Sequence, residues 1–110
     1  ILENEKSYLN PNLKLSDISK LMNVPDNYVS QVINTEFEMS FNDLINQYRV
    51  EDFKDLVAKG NKNHLTLYAI AQECGFQSKS TFNSAFKKAT GITPSKFKIN
   101  LTSNPTNSVA

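Results

Sequence analysis

The side chains best able to bind a charged partner lie toward the C-terminal end of the chain. Residues 64–110 contain five lysines and one acidic residue, Glu73. Residues 1–36 and 37–63 each have a small excess of acidic residues, so the overall charge of +1 conceals a positive end. A positive region attracts polyanions, including the phosphate backbone of nucleic acids. Such a charge bias also occurs on ordinary protein surfaces, so charge alone does not decide between a nucleic-acid-binding surface and an ordinary one.

Residue types that form catalytic and metal sites are scarce. The chain has one cysteine, Cys74, and one histidine, His64. It therefore lacks the ligands of a zinc site and a credible Cys–His catalytic pair. Cys74 falls on an apolar helix face and is expected to be a small core residue, with a reactive thiol as the alternative. We expect His64 to be solvated, and we expect neither enzymatic activity nor a cofactor.

Two closely spaced helices carry most of this positive charge, within residues 66–98. The first has an apolar face with the i, i+3, i+4, i+7 spacing of an amphipathic helix, at Leu67, Ile70, Ala71 and Cys74. Gly75 can end this helix with a positive φ, and Phe76 is expected to return to the core. Ser78 can cap the second helix, which Gly91 ends. The expected buried residues of this second helix are Phe82, Ala85, Phe86 and Ala89.

Only about four residues separate these helices, and one of them is a glycine. That arrangement is typical of a helix-turn-helix, whose second helix can enter a DNA major groove. After Gly91, the pair Thr93-Pro94 predicts an N-cap followed by proline at the first helical position. This last helix is expected to end near Lys98.

The same plan occurs earlier in the chain, over residues 15–33. Ser16 is a candidate N-cap, and Asn23 can take the left-handed conformation at the end of the first helix. Its expected buried residues are Ile18, Leu21 and Met22. After a turn at Val24-Pro25, a second helix is expected to bury Val29, Val32 and Ile33. The sequence therefore contains two candidate helix-turn-helix units.

A long helix is expected between the two units, starting after the N-cap Ser40. At about 18 residues it would be roughly 27 Å long. Major-groove openings on one face of DNA recur about every 34 Å, so such a rod could place two reading helices in successive grooves. With short helices at residues 2–9 and 94–98, we expect an all-α, seven-helix fold of two homeodomain-like subdomains. The expected division is 1–39, 40–58, 59–99, and a disordered tail at 100–110.

Three segments give a resemblance to a known family: SFNDLINQYRVEDFKDLV, IAQECGF and SKSTFNSAFKKATGITPSKFK. They resemble the DNA-binding domain of AraC/XylS-family transcription regulators over about residues 7–98. The resemblance implies control of transcription in bacteria, with double-stranded DNA and RNA polymerase as partners. It also implies a sensor or effector domain upstream, through which the protein could dimerise. The chain starts with Ile and has no signal peptide, so we expect a cytoplasmic piece of a longer protein that could carry a membrane anchor.

Helix geometry and the resemblance together give the candidate DNA-binding residues. In the first unit they are Asn27, Tyr28, Ser30, Gln31 and Asn34. In the second unit they are Lys79, Ser80, Thr81, Asn83, Ser84, Lys87, Thr93 and Lys96. Asn and Gln can bond adenine edges, whereas lysines suit phosphates. The alternative is that these residues are simply the solvated faces of two helices.

The sequence departs from the family pattern at three places. Ser84 stands where many relatives have an arginine, which implies weaker or different base contacts by the second reading helix. The turn near Glu38 lacks the usual glycine, and Phe53 replaces a small residue. These departures keep open a second function, in which a degenerate helix-turn-helix serves mainly as a protein-interaction module.

Overall fold

The computed structural model describes residues 6–60 and 64–103. In this part of the chain it is all-α, with a single 3-10 turn at Ser7–Leu9 followed by six α-helices and no strand. The helices are α1 (Leu15–Met22), α2 (Asp26–Phe37), α3 (Phe41–Lys59), α4 (Leu67–Glu73), α5 (Lys79–Thr90) and α6 (Pro94–Ser103). The all-α class and the long central helix are confirmed.

Local capping fixes where most of these helices begin and end. The hydroxyls of Ser40, Thr66 and Ser78 accept backbone N–H groups at the starts of α3, α4 and α5, at 3.0–3.1 Å. Gly91 ends α5 with φ of +83°. Glu38 ends α2 with φ of +56°, although side chains rarely adopt this conformation. This explains why a glycine is expected there from the resemblance.

The first lobe consists of α1, α2 and the N-terminal half of α3. Its core is aliphatic and contains Ile18, Val29, Ile33 and Leu44, each 5–7% exposed. Ser19 is also buried between α1 and α2, where its hydroxyl contacts the Asp26 carboxylate and donates to the Ser16 carbonyl oxygen at 3.0 Å. The small side chain lets the two helices approach, and its hydroxyl is satisfied by hydrogen bonds.

The second lobe consists of the C-terminal half of α3 with α4, α5 and α6. Its core is built around aromatic rings on α3, the turn after α4, and α5, at Phe53, Phe76, Phe82 and Phe86. Phe53 packs against Phe82 with ring centroids 4.8 Å apart, and Phe86 contacts Phe97 of α6 edge-on at 5.5 Å. Such tilted contacts suit the charge distribution of aromatic rings and bury large areas. The second reading helix is therefore held by two phenylalanines.

A short N-terminal segment, residues 6–12, joins the lobes. Arg49 of α3 is 9% exposed, and its guanidinium donates to the carbonyl oxygens of Tyr8, at 2.7 Å, and Asn10, at 3.0 Å. Gly75 lies against the carbonyls of Tyr8 and Leu9, where a Cβ would overlap the Tyr8 oxygen. Gln77, two residues after Gly75, donates its side-chain N–H to Asn12 Oδ1 at 2.8 Å. The segment thus crosses from the first lobe to the turn of the second.

Several sequence-based expectations about element ends are wrong. The helix expected over 2–9 is one 3-10 turn at Ser7–Leu9, while residues 2–5 lie outside the described residues. In the described ranges, six α-helices and this 3-10 turn stand where seven helices were expected. Helix α1 starts before Ser16, because the Asp17 carboxylate accepts the Lys14 N–H at 2.9 Å. Helix α6 continues to Ser103, past the expected end at Lys98, since no Gly or Pro interrupts it. Residues 100–103 are thus helical, and 104–110 lie outside the described residues.

Some residues expected in the core are exposed. Leu21 is 66% exposed and Met22 49%, because the buried face of α1 is turned toward Ser19 and the helix ends at Met22. Val32 is 39% exposed, since it lies at the edge of the face defined by Val29 and Ile33. Ala89 is also exposed. These positions lie near helix ends or at the edge of an apolar face, where spacing alone defines the buried face poorly.

Candidate nucleic-acid interface

The first candidate reading surface is the outer face of α2. Gln31 lies opposite the buried pair Val29 and Ile33, with Asn27 and Asn34 one turn to either side. All three amide side chains are exposed. They offer both donors and acceptors, the combination that reads adenine edges. The helix itself contains no lysine or arginine.

Two other candidates on α2 differ in accessibility. Tyr28 is 51% exposed, so its ring and hydroxyl are available beside Gln31. Ser30 is half-buried and lies toward the core side of the helix. The structure therefore places Tyr28 on the exposed surface and Ser30 at its edge.

The second candidate reading surface is the outer face of α5. Ser84 takes the place on α5 that Gln31 takes on α2, opposite the buried pair Phe82 and Phe86. The other candidates on this helix are all exposed: Lys79, Ser80, Thr81, Asn83 and Lys87. The Ser78 cap uses part of their hydrogen-bonding capacity, because its hydroxyl contacts those of Ser80, at 3.3 Å, and Thr81, at 3.0 Å.

One flank of α5 forms a cleft with the start of α6. The cleft has a volume of about 440 Å³ and is lined by Asn83, Ser84, Lys87, Thr93, Pro94 and Ser95. Four of the candidate residues are thereby brought together. The Thr93 hydroxyl accepts the Lys96 N–H at 3.2 Å, which confirms the expected cap and uses one amide of the helix start. Lys96 is exposed on the first turn of α6, outside the cleft.

The opposite flank of α5 forms a second cleft, of about 340 Å³, with the first turns of α3. This inter-helix cleft is lined by Asp43, Asn46, Ser80, Thr81, Ser84, Ala85 and Lys88. Across it, Lys88 Nζ lies 3.0 Å from Asp43 Oδ2. Sequence reasoning did not include Asp43 and Asn46, because they are far from α5 along the chain. Their i, i+3 spacing on the polar side of α3 was the only signal.

Buried titratable groups lie away from both reading surfaces. Cys74 is fully buried, as expected, and burial is the main cause that raises the pKa of its thiol to about 12. Burial also raises the pKa of Tyr8 to about 12, with a further contribution from the Asp52 carboxylate. Within residues 6–60 and 64–103, no group of acidic, His and Cys side chains could hold a metal ion, and each helix is too short or too polar to cross a bilayer.

Fold and surface together define a two-lobed helix-turn-helix domain, with one exposed polar helix in each lobe and a long helix between them. A family model described as a helix-turn-helix domain matches residues 18–99. The chain therefore belongs to the AraC-type helix-turn-helix family, the DNA-binding domains of transcription regulators. These are domains of regulators rather than of enzymes.

Individual relatives agree with this assignment. The chain is 28% identical to the C-terminal domain of AraT, a response regulator from Geobacillus stearothermophilus, with a TM-score of 0.74 over 86% of this chain and 76% of that one. It is 31% identical to the C-terminal domain of the two-component response regulator yesN from Fusobacterium nucleatum, with a TM-score of 0.72 over 86% and 88%.

A curated relative shows how much longer such proteins can be. The chain is 27% identical over 86 residues to the uncharacterized HTH-type transcriptional regulator YtdP of Bacillus subtilis, covering 78% of this chain and 11% of that protein. The chain spans about a third of the length of the other curated relatives it matches.

Proposed function

We propose that this chain binds double-stranded DNA sequence-specifically, with α2 and α5 inserted into successive major grooves on one face of the duplex. On both α2 and α5, a buried apolar stripe lies opposite a crest of exposed polar side chains, and this repeated arrangement is the observation that carries the proposal. Gln31 and Ser84 occupy equivalent crest positions on the two helices. In helix-turn-helix proteins this exposed helix is the one that reads the major groove.

The dimensions suit that binding mode. Helix α3 contains 19 residues and is about 28 Å long. The molecule extends 47 Å along its longest axis and 25 Å along the others. Successive major-groove openings on one face of B-DNA are about 34 Å apart, so one copy of the chain has the length to contact two of them.

The two reading surfaces differ in the contacts they can supply. On α2, Gln31 and the neighbouring Asn27 and Asn34 would contact bases, with Tyr28 and Ser30 beside them. On α5, Asn83 and Ser84 would face bases, with Ser80 and Thr81 near the helix start. Lys79, Lys87, Lys96 and the Thr93 turn would contact phosphates, which fix register and produce strong salt dependence.

A quantitative titration tests this proposal. Duplexes that bind would be selected from a random pool, and their affinity measured by fluorescence anisotropy at several salt concentrations. We expect a protected site of about 20 base pairs, covering two major-groove openings, and a steep fall in affinity as salt rises. If no sequence is enriched from the pool and every duplex binds equally weakly, the proposal is contradicted.

One observation favours a second function for the first lobe. Large apolar side chains on α1 and α2 are exposed, with Leu21 at 66%, Met22 at 49% and Phe37 at 48%. Residues 1–36 also have more acidic than basic residues. Such a surface suits contact with another protein, so a protein-interaction module is the alternative. If the chain still binds DNA when Leu21 and Met22 are changed to serine, this apolar surface is not needed for DNA binding, and the two functions are separable.

We further propose that this chain is the output domain of a longer regulator. The support is its short coverage of its curated relatives, 11% of one and about a third of three others. The remaining length would hold a sensor or effector domain, which could also provide dimerisation. RNA polymerase would be the second macromolecular partner. Transcription from a promoter bearing the selected site, with and without the chain, tests the polymerase contact.

A further inference from the structure

The inter-helix cleft holds an ion pair between two parts of the chain with different roles. Lys88 belongs to α5, the second reading helix, whereas Asp43 belongs to the first turn of α3. Their charged atoms are 3.0 Å apart, and the side chains are 71% and 40% exposed. The same cleft is lined by Ser80, Thr81 and Ser84. The pair therefore borders the outer face of α5.

The pair contributes little to holding the fold together. Exposed ion pairs gain little energy because water screens the charges and two long side chains must be ordered. The N-terminus of α3 is capped independently, since the Asp43 backbone N–H donates to the Ser40 hydroxyl at 3.1 Å. Lys88 can therefore leave Asp43 without disturbing α3.

The position of the pair matters once a polyanion approaches α5. Lys79, Lys87 and Lys88 are the three cations of that helix. A carboxylate 3.0 Å from Lys88 competes with phosphate for the ammonium group. When Lys88 moves to a phosphate, Asp43 remains as a negative charge beside the DNA backbone, which is unfavourable. Asp43 thus opposes the part of binding that depends on charge alone.

We propose that Asp43 lowers the non-specific DNA affinity of the second reading helix by competing for Lys88. This inference rests on the proposed function, because it requires α5 to face DNA. Non-specific binding is almost entirely electrostatic, whereas base contacts depend on polar side chains such as Asn83 and Ser84. A carboxylate at this position reduces the first contribution and leaves the second intact. It therefore increases the preference for the correct sequence.

The test uses Asp43→Asn, which keeps the shape of the side chain and the N-cap but removes the charge. A matched control is Asp55→Asn, on an exposed residue of the same helix. It makes the same change in net charge about 18 Å further along α3, beyond the screening length at about 0.1 M salt. Affinity for a random-sequence duplex of about 30 base pairs, long enough for two groove openings, is measured by anisotropy across a salt series.

We expect Asp43→Asn to tighten binding about three- to tenfold at about 0.1 M salt, and to steepen the slope of log affinity against log salt by about 0.9. Asp55→Asn should change affinity less than about twofold. Adding Lys88→Gln to Asp43→Asn should remove both the gain and the extra slope. Circular dichroism and thermal unfolding should be nearly unchanged in Asp43→Asn.

The outcomes separate this inference from the proposed function. If the wild-type chain binds duplex with a steep salt slope but Asp43→Asn matches Asp55→Asn, the role of Asp43 is wrong and the function stands. If tightening survives the added Lys88→Gln, Asp43 does not act through Lys88. If the wild-type chain binds no duplex even at low salt, both proposals fail.

Discussion

The two lobes share one helix-turn-helix plan but differ in what fills it. The first lobe is closed by Ile18, Val29, Ile33 and Leu44, each still 5–7% exposed. The second is closed by four phenylalanines that are at most 2% exposed. Because aromatic rings bury more area and contact each other edge-on, the second lobe has the better-packed core. The same backbone plan therefore supports two lobes whose cores are filled differently.

The reading helices differ in a parallel way. Helix α2 has amide side chains and no lysine, whereas α5 has three lysines and mainly hydroxyl side chains. In the proposed complex, the lobe with the firmer core would hold the backbone, and the more loosely packed lobe would read bases.

The lobes are nevertheless coupled by the N-terminal segment. This segment precedes the first lobe in the sequence, yet two of its carbonyl oxygens accept hydrogen bonds from Arg49 of α3. The Tyr8 carbonyl also lies against Gly75, which belongs to the second lobe. Burial lowers the pKa of Arg49. Hydrogen bonds to the carbonyl oxygens of Tyr8 and Asn10 compensate its guanidinium for the lost hydration. Removing this contact would leave a poorly solvated charge, so the segment helps to fix how the lobes are joined.

The largest expected effect comes from the two cores. Phe86 of α5 and Ile33 of α2 occupy matching positions in the two units. We expect Phe86→Ala to lower the free energy of unfolding by about 3–5 kcal/mol, because it removes a ring that contacts Phe53, Phe82 and Phe97. Ile33→Ala should cost about 2–3 kcal/mol, at the lower end for its type. Urea unfolding monitored by circular dichroism measures both, and equal losses would contradict unequal packing.

The second effect tests the coupling between the lobes. We expect Gly75→Ala to cost about 3 kcal/mol or more, because its φ is +106° and the new Cβ would overlap the Tyr8 carbonyl oxygen and lie 2.7 Å from Arg49 Nε. Gly91→Ala is the control, since its φ is +83° and nothing lies within 4 Å of the added Cβ. It should cost about 1–2 kcal/mol for the left-handed backbone alone. Similar losses in urea unfolding would show that the N-terminal segment does not press on Gly75.

The third effect is a pH dependence located in the second lobe. The pKa of Cys74 is about 12 in the folded chain and 9.0 when unperturbed. The folded state therefore favours the protonated thiol, and this contribution is present below pH 9 and lost as the pH rises toward 12. We expect stability at about pH 10.5 to be lower than at pH 8 by about 2 kcal/mol from this group.

Cys74→Ala should remove that part of the pH dependence, although it also costs stability at every pH. The quantity to compare is the difference in unfolding free energy between pH 8 and pH 10.5 for the two proteins. The raised pKa of Tyr8 acts in the same direction and largely cancels in the comparison, because burial and the Asp52 carboxylate are larger causes of it than Cys74. An unchanged difference in the variant would exclude Cys74 as its source.

How far the sequence could predict this molecule depends on the range of the interaction. Asn23, Gly75 and Gly91 do have positive φ, and Ser40 and Ser78 do cap helices, because those preferences are local. The exposure of Gln31 and Ser84 follows from helix periodicity alone.

Contacts between distant residues could not be predicted in the same way. Arg49 meets carbonyls about 40 residues away, and Asp43 meets Lys88 45 residues away. No spacing rule connects such pairs. The exposure of Leu21 also depends on how α1 rotates around the small Ser19, which only the packed structure reveals. DNA contacts by the candidate residues remain predictions.

The finest test of the comparison separates the two reading helices. We expect Gln31→Ala to weaken binding to a selected duplex by about 1–3 kcal/mol while leaving the salt slope unchanged, because it removes base contacts only. Lys87→Gln should weaken selected and random duplexes by a similar, smaller factor and reduce the salt slope by about 0.9, because it removes one phosphate contact. Anisotropy titrations across a salt series measure both quantities. Lys87→Gln could instead change the ratio of affinities for selected and random duplexes more than Gln31→Ala does. Base reading would then reside in the second, better-packed lobe, and a well-packed core would be required for sequence specificity rather than for phosphate binding.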